Sequence, residues 1–459
     1  MARVVESKKS CTVNPLRMSQ PLGASYAYLG MNRCMPVMHG SQGCTAFGLV
    51  LMVRHFREAI PLQTTAMNEA TTVLGGSDNL EKAILNIKSR ANPELIGICS
   101  TGLTETRGED VSGDLKLILA RHPELAGTEV VYCSTPDYVG AFQDGWAAAV
   151  LAILRSQLGE PASGRCDNQI NVLAGSHLTV ADLEMLREMI EAFGLYPLFL
   201  PDLSGSLDGH VPDEFTPATL GGTPVRQVRE MGRSLLTLAL GEQMRGCAIE
   251  LEMRTGVGYE VFDRLTGLEA TDRLVALLAR LSGRPVPLRY RRERSQLVDA
   301  MLDGHFFFGG KRVAIGAEPD LLWSYAGWLH EMGCEIAAAV TTTRSPVLTD
   351  VPAEEVLIGD LEDLEARAAG CDLLLTHSHG RQMAERLSLP FWRIGLPVFD
   401  RLGAMHRLAT GYRGTRDLVF ELGNLLLASE HAGGPDSWPL PEESRIAAAE
   451  TETLITSGA

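Results

Sequence analysis

The sequence predicts an α/β protein made of three Rossmann-like, doubly wound parallel-sheet domains. Two observations point there. Short β-rich apolar runs alternate with segments of helical period, the pattern of strand–helix–strand units whose crossover helix returns the chain to the same edge of a parallel sheet. The length of 459 residues, at ~100–200 residues per domain, leaves room for two or three separate cores.

In chain order, "PELIGICSTG" and "TEVVYCSTPDY" each read as a buried strand running out into a Ser/Thr/Gly/Pro loop, with helical segments at 79–90, 111–121 and 139–157 around them. The next unit is a strand at 170–175, a helix at 179–193 and an apolar run at 196–201. The same plan returns as a strand near 312–316, a helix near 319–332 and a strand near 335–341. "CDLLLTHSHG" and "PFWRIGLPVFD" continue it. The expected domains are 1–165, 166–305 and 306–430, and the polar, turn-rich residues 431–459 are expected to form a surface arm. In such folds ligands sit beyond the carboxyl ends of strands, so loops there are where function is sought.

Composition narrows the function classes. A net charge of −16 opposes binding to a phosphate backbone, and no basic stripe is interleaved with aromatics, which argues against nucleic acid. No stretch approaches the ~18 apolar residues of a membrane span, and "MARVVESKKSCTVN" lacks a signal-peptide core; a cytoplasmic protein without membrane contact is expected. The nine cysteines, at 11, 34, 44, 99, 133, 166, 247, 334 and 371, are odd in number and widely spaced. They form neither a disulfide framework nor a C-x-x-C metal knuckle.

Cys44, in "MHGSQGCTAFGLVLMVRHFRE", stands apart from the others. It is expected at or just before the first turn of a helix, where unpaired backbone N–H groups and the helix dipole favour negative charge. Gly43 would let the backbone approach a bulky ligand, and Ser41 and Gln42 can hydrogen-bond to sulfur. The competing reading is a small buried residue in a tight turn. Cys99 and Cys133, inside strands, read as core fillers, and Cys334 and Cys371 at the start of apolar runs do likewise. His377 and His379 in "THSHG" are a candidate metal pair with nothing nearby to complete it, so a hydrogen-bonding loop is favoured. "TGVGYE" lacks the third glycine of a dinucleotide fingerprint, and there is neither a Walker loop nor a G-x-S-x-G elbow.

Several segments, in this order and spacing, resemble the nitrogenase component 1 family: "HGSQGCTAFG", "HFREAIPLQTTAMNEATTVLGGSDNLEKAI", "PELIGICSTGLTE", "STPDYVGAFQDGW", "RERSQLVDAMLDGHFFFGGKRVAIG" and "RIGLPVFDRLGAMHRLATGYRG". The resemblance is to β-type subunits and covers about residues 15–425. It implies the nitrogenase component 1 fold. In a catalytic β-subunit of this family three cysteines bind the P-cluster. The first matches Cys44, while Leu62 and Gly102 stand where the other two would be.

A [4Fe–4S] cluster normally takes four thiolates, and one remains here. The resemblance therefore implies a cofactor-assembly branch of the family, in which a [4Fe–4S] cluster is shared with an α-like scaffold subunit, NifE, in an α2β2 heterotetramer. The metal ligand is Cys44, with Ser41 and Gly43 beside the cluster and no catalytic residue on this chain. The iron–molybdenum cofactor precursor is expected in the partner subunit. The resemblance also brings in the reductase NifH, docking on a pseudo-symmetric surface, and as further partners NifB and apo-nitrogenase component 1. The alternative is a catalytic oxidoreductase subunit, either a nitrogenase β-chain or the B-type subunit of dark-operative protochlorophyllide reductase.

Overall fold

The computed structural model describes residues 1–9, 11–159 and 164–431. Among them the strands form three sheets, and every strand pair is parallel. The chain opens with strand β1 (Arg3–Glu6). β2 (Cys34–His39), β3 (Gln63–Thr64), β4 (Leu95–Ser100) and β5 (Glu129–Cys133) form the first sheet, in the order β3-β2-β4-β5. β6 (Gln169–Leu173), β7 (Tyr196–Leu200), β8 (Thr237–Leu240) and β9 (Tyr259–Phe262) form the second, in the order β7-β6-β8-β9. β10 (Arg312–Ala317), β11 (Glu335–Thr341), β12 (Glu355–Ile358), β13 (Leu373–Thr376) and β14 (Phe391–Arg393) form the third. β1 pairs with β12 and completes that sheet as β1-β12-β11-β10-β13-β14.

The central strands of the first two sheets are buried along their whole length and mostly apolar, because helices cover both faces of each sheet. In the first sheet, Met35, Val37, Ile96 and Ile98 pack with Leu80, Ile84, Val111 and Ile118 of the helices Ser77–Ala91 and Val111–Arg121. Met38, Leu95 and Cys99 project the other way, into a cluster with Tyr26, Phe142 and Trp146. This alternation follows from the two-residue period of a strand.

All three sheets share one winding. The chain steps outward from β2 to β3, from β6 to β7 and from β10 through β11 to β12, then crosses to the opposite side of the starting strand. Each sheet therefore has a switch point beside its first central strand, where the loops diverge and open a crevice.

The helices and strands expected from the sequence lie within a few residues of their places; the segment expected as a helix from 139 begins at Phe142. Cuts near 165 and 305 are kept as a proposed partition. The first lies between β5 and β6, whereas the second falls inside the helix Leu288–Phe308, and β1 belongs to the C-terminal sheet. The proposed arm lies outside the described residues beyond residue 431. No helix among the described residues is long and apolar enough to cross a membrane.

Candidate functional site

The Cys44 loop leaves the carboxyl end of β2 at the first switch point and is anchored from both sides. The His39 carbonyl accepts from Thr101 Oγ1 (3.0 Å) and Thr104 Oγ1 (3.3 Å), which follow β4. Gly40 N donates to Thr65 Oγ1 (3.1 Å), and Gly40 O accepts from Met67 N (2.9 Å), which follow β3. A Cβ on Gly40 would stand 2.2 Å from Thr101 Oγ1, so this close approach requires glycine. Beneath the loop, buried His39 places Nδ1 2.9 Å from Thr65 Oγ1 and Nε2 3.2 Å from Glu109 Oε2. Burial lowers the His39 pKa, against the pull of Glu109.

Ser41 is then the N-cap of the helix Gln42–Phe56, with extended backbone and no bond from its hydroxyl to the helix N–H groups. That hydroxyl instead lies 3.6 Å from Cys44 Sγ. Cys44, in the first turn, is exposed, which is not the small buried residue of a tight turn. Gly43 is exposed as well, and a Cβ there would meet only Ser41 Oγ, at 4.0 Å. The backbone thus leaves open space beside the thiol. The described residues contain no cluster of three His, Cys, Asp or Glu side chains able to hold a metal. Cys44 can supply one thiolate to a metal group, and the described residues do not bring together a complete ligand set around it.

Leu62 and Gly102 flank β2 on opposite sides. Gly102 opens the short helix after β4, at the level of the Cys44 loop; its N–H donates to Asp137 Oδ2 (2.8 Å), and a Cβ there would stand 3.1 Å from that oxygen. Leu62 precedes β3, where Gln63 pairs with Val37, so it sits below the rim. It is 7% exposed and belongs to the apolar cluster that includes Leu51, Met52, Phe56 and Ile60.

The other cysteines are elsewhere. Cys99 points into the core, 3.5 Å from Ser25 Oγ, and burial pushes its thiol up to about 12. Cys133 receives the Tyr28 hydroxyl at 3.4 Å, and its pKa is raised by burial. Cys334 is buried, pushed up to about 12 by desolvation, and Cys371 is buried and raised for the same reason. His377 is buried and bonded through Nε2 to the Leu16 carbonyl (3.1 Å), with His379 edge-on to it. Gly256 is the left-handed stop of the helix Arg245–Thr255, which explains that glycine without a nucleotide.

One feature of the site escaped the sequence reading. Outward from Cys44 along its helix run Phe47, Val50 and Val53, exposed by 67%, 51% and 38%. The opposite face of the helix, with Leu51, Met52 and Phe56, is already buried. The signal was available, because besides Leu51, Met52 and Phe56 the helix carries Phe47, Val50 and Val53, more apolar side chains than one buried face covers.

Residues 19–427 match the family model described as nitrogenase component 1 type oxidoreductase. A relative from Bradyrhizobium diazoefficiens named nitrogenase iron-molybdenum cofactor biosynthesis protein NifN is 56% identical over 445 residues, covering 95% of each chain. A NifN of Nostoc sp. is 52% identical, covering 94% of this chain and 97% of its own. A solved structure of nitrogenase Cp1 at pH 6.5 superposes with a TM-score of 0.86 at 31% identity, over 95% of this chain and 96% of that one. With the winding of the three sheets and the place of Cys44 at the first switch point, these likenesses establish that the chain belongs to the nitrogenase component 1 family.

Proposed function

We propose that this chain is the β-like subunit of the scaffold complex on which the precursor of the nitrogenase iron–molybdenum cofactor is matured, and that Cys44 contributes one thiolate to a [4Fe–4S] cluster shared with the α-like partner NifE. The observation that carries the proposal is the exposed thiol of Cys44, with open space beside it, on a helix that also exposes Phe47, Val50 and Val53. The names of the relatives favour cofactor assembly over a catalytic subunit. So does the chemistry at the two positions that lack thiols: Leu62 fills space with hydrocarbon, and Gly102 is held against Asp137.

On this reading Cys44 holds iron, Ser41 orients the thiol, and Gly43 keeps the approach clear. When bound, the cluster supplies one-electron chemistry at the subunit interface. Phe47, Val50 and Val53 bury against NifE in a cytoplasmic α2β2 assembly. The pseudo-symmetric exterior receives the reductase NifH, with NifB and apo-nitrogenase component 1 as donor and acceptor of the cofactor held in the partner.

The test is to purify the chain with its partner, count iron and record electron paramagnetic resonance of the reduced complex. One [4Fe–4S] signal per αβ pair is expected, absent from the isolated chain. A stoichiometric cluster on the isolated chain would overturn the shared site, and a P-cluster or bound tetrapyrrole would favour the catalytic alternatives.

A further inference from the structure

A cavity of about 100 Å³ lies where the switch points of the second and third sheets face each other. Its wall includes His177, beyond the end of β6, Glu318 at the end of β10, His377 after β13, and Arg407. A water needs roughly 10–15 Å³ of such space, so the cavity suits several waters or one small molecule.

The hydrogen-bonding capacity of the wall defines what it would bind. Gln243 Oε1 accepts from Ser176 Oγ (2.9 Å), and its Nε2 donates to Asp320 Oδ2 (2.9 Å), which fixes the amide. The same Nε2 faces His177 Nδ1 at 3.5 Å, so His177 accepts there and carries its proton on Nε2, which has no partner among the described residues. Arg407 stacks on the Trp392 ring at 3.9 Å. Its guanidinium makes no hydrogen bond among the described residues, and its nearest carboxylate, Glu421, is 3.8 Å away.

The acidic groups of the wall do not offset this surplus of donors. Asp182 is saturated by the N–H groups of Thr179, Ala409 and Thr410 and by the Thr410 hydroxyl. Desolvation raises Glu318 to about 8, and its Oε2 accepts from Gln143 N (3.2 Å), so it brings little negative charge to the cavity at neutral pH. One acceptor is left over. His377, 5% exposed, donates through Nε2 to Leu16 O, and the lone pair on its buried Nδ1 has no partner.

We propose that this cavity is a binding site for a small anion with oxygen ligands, a tetrahedral oxyanion or a compact carboxylate, gripped by Arg407 and the His177 Nε2–H, with His377 Nδ1 accepting a proton the ligand carries. The site is separate from Cys44 and independent of the shared cluster.

Isothermal titration calorimetry of the assembled complex with inorganic phosphate and with succinate, at constant chloride, tests it. Saturable binding of at least one anion at one site per copy of this chain is expected, weakened about tenfold or more by Arg407→Gln, the loss of a charge-assisted contact. Binding of phosphate alone assigns the oxyanion, and of succinate alone the carboxylate. His177→Asn, expected to weaken binding several-fold, carries the test if the arginine variant does not assemble. Absence of saturable binding at millimolar concentration, or binding unchanged in these variants, overturns the site. Because the readout uses no iron signal, a failed cluster proposal leaves this result interpretable.

Discussion

Cys44 and Cys99 are both thiols on the first sheet's side of the chain, yet solvent separates their roles. Cys44 is exposed, with Ser41 Oγ its hydrogen-bond partner, while Cys99 is fully enclosed. Cys44→Ala is expected to abolish the interface cluster signal while moving stability by no more than about 0.5 kcal/mol. Cys99→Ala should retain the cluster and lose about 1 kcal/mol through a small packing defect. Iron content and denaturant midpoints of the two variants check this, and equal loss of iron in both would make Cys99 a ligand.

Asp182 is the second decisive residue. In sequence it is the acidic member of a capping box with Thr179. In the structure it also receives Ala409 N (2.8 Å) and Thr410 N (3.0 Å), bonding the second sheet's helix to a loop more than two hundred residues away. Asp182→Asn replaces one acceptor oxygen by a donor, leaving buried N–H groups unpaired, and should cost about 2–4 kcal/mol in a chemical denaturation measurement.

At the scale of one element, the helix Gln42–Phe56 has two apolar faces with different duties. Leu51, Met52 and Phe56 belong to the core, whereas Phe47 and Val50 face outward. Val50→Lys, on the outward face, should change the isolated chain's stability by less than about 0.5 kcal/mol. The same variant should strongly reduce co-purification with the α-like partner, because a charge would be desolvated in the contact. Unimpaired assembly of that variant in size-exclusion chromatography would remove this face from the interface.

At the scale of the whole molecule, pH dependence comes from groups gathered between the sheets. Burial holds His55, His177 and His377 at about 4, against an ordinary value of 6.5. Their folded state is the neutral one, so their contribution is complete above 6.5 and is lost as pH falls from 6.5 towards 4. Glu318 has the opposite sense. With its pKa raised from 4.5 to about 8, its contribution is complete below 4.5 and is lost as pH rises towards 8. Urea midpoints across this range should show Glu318→Gln gaining stability relative to the parent as pH rises to about 8. His55→Gln should show a shallower acid limb; parallel curves for parent and variants would refute both assignments.

The strands and helices were legible in the sequence because each is dictated locally. Runs such as "LIGIC" are apolar on successive positions because a parallel strand is covered on both faces, and that pattern survives without knowledge of the neighbours. The resemblance around "HGSQGC" likewise singled out Cys44 from a short motif. Tertiary structure decided what depends on partners distant in the chain. β1 joins the C-terminal sheet through β12, some 350 residues away, by backbone hydrogen bonds that leave little mark on side-chain identity. The exposure of Phe47 and Val50, and the surplus donors around His177 and Arg407, were equally hidden, since a residue type states what a side chain can bond to, and only the fold decides whether that capacity is already used.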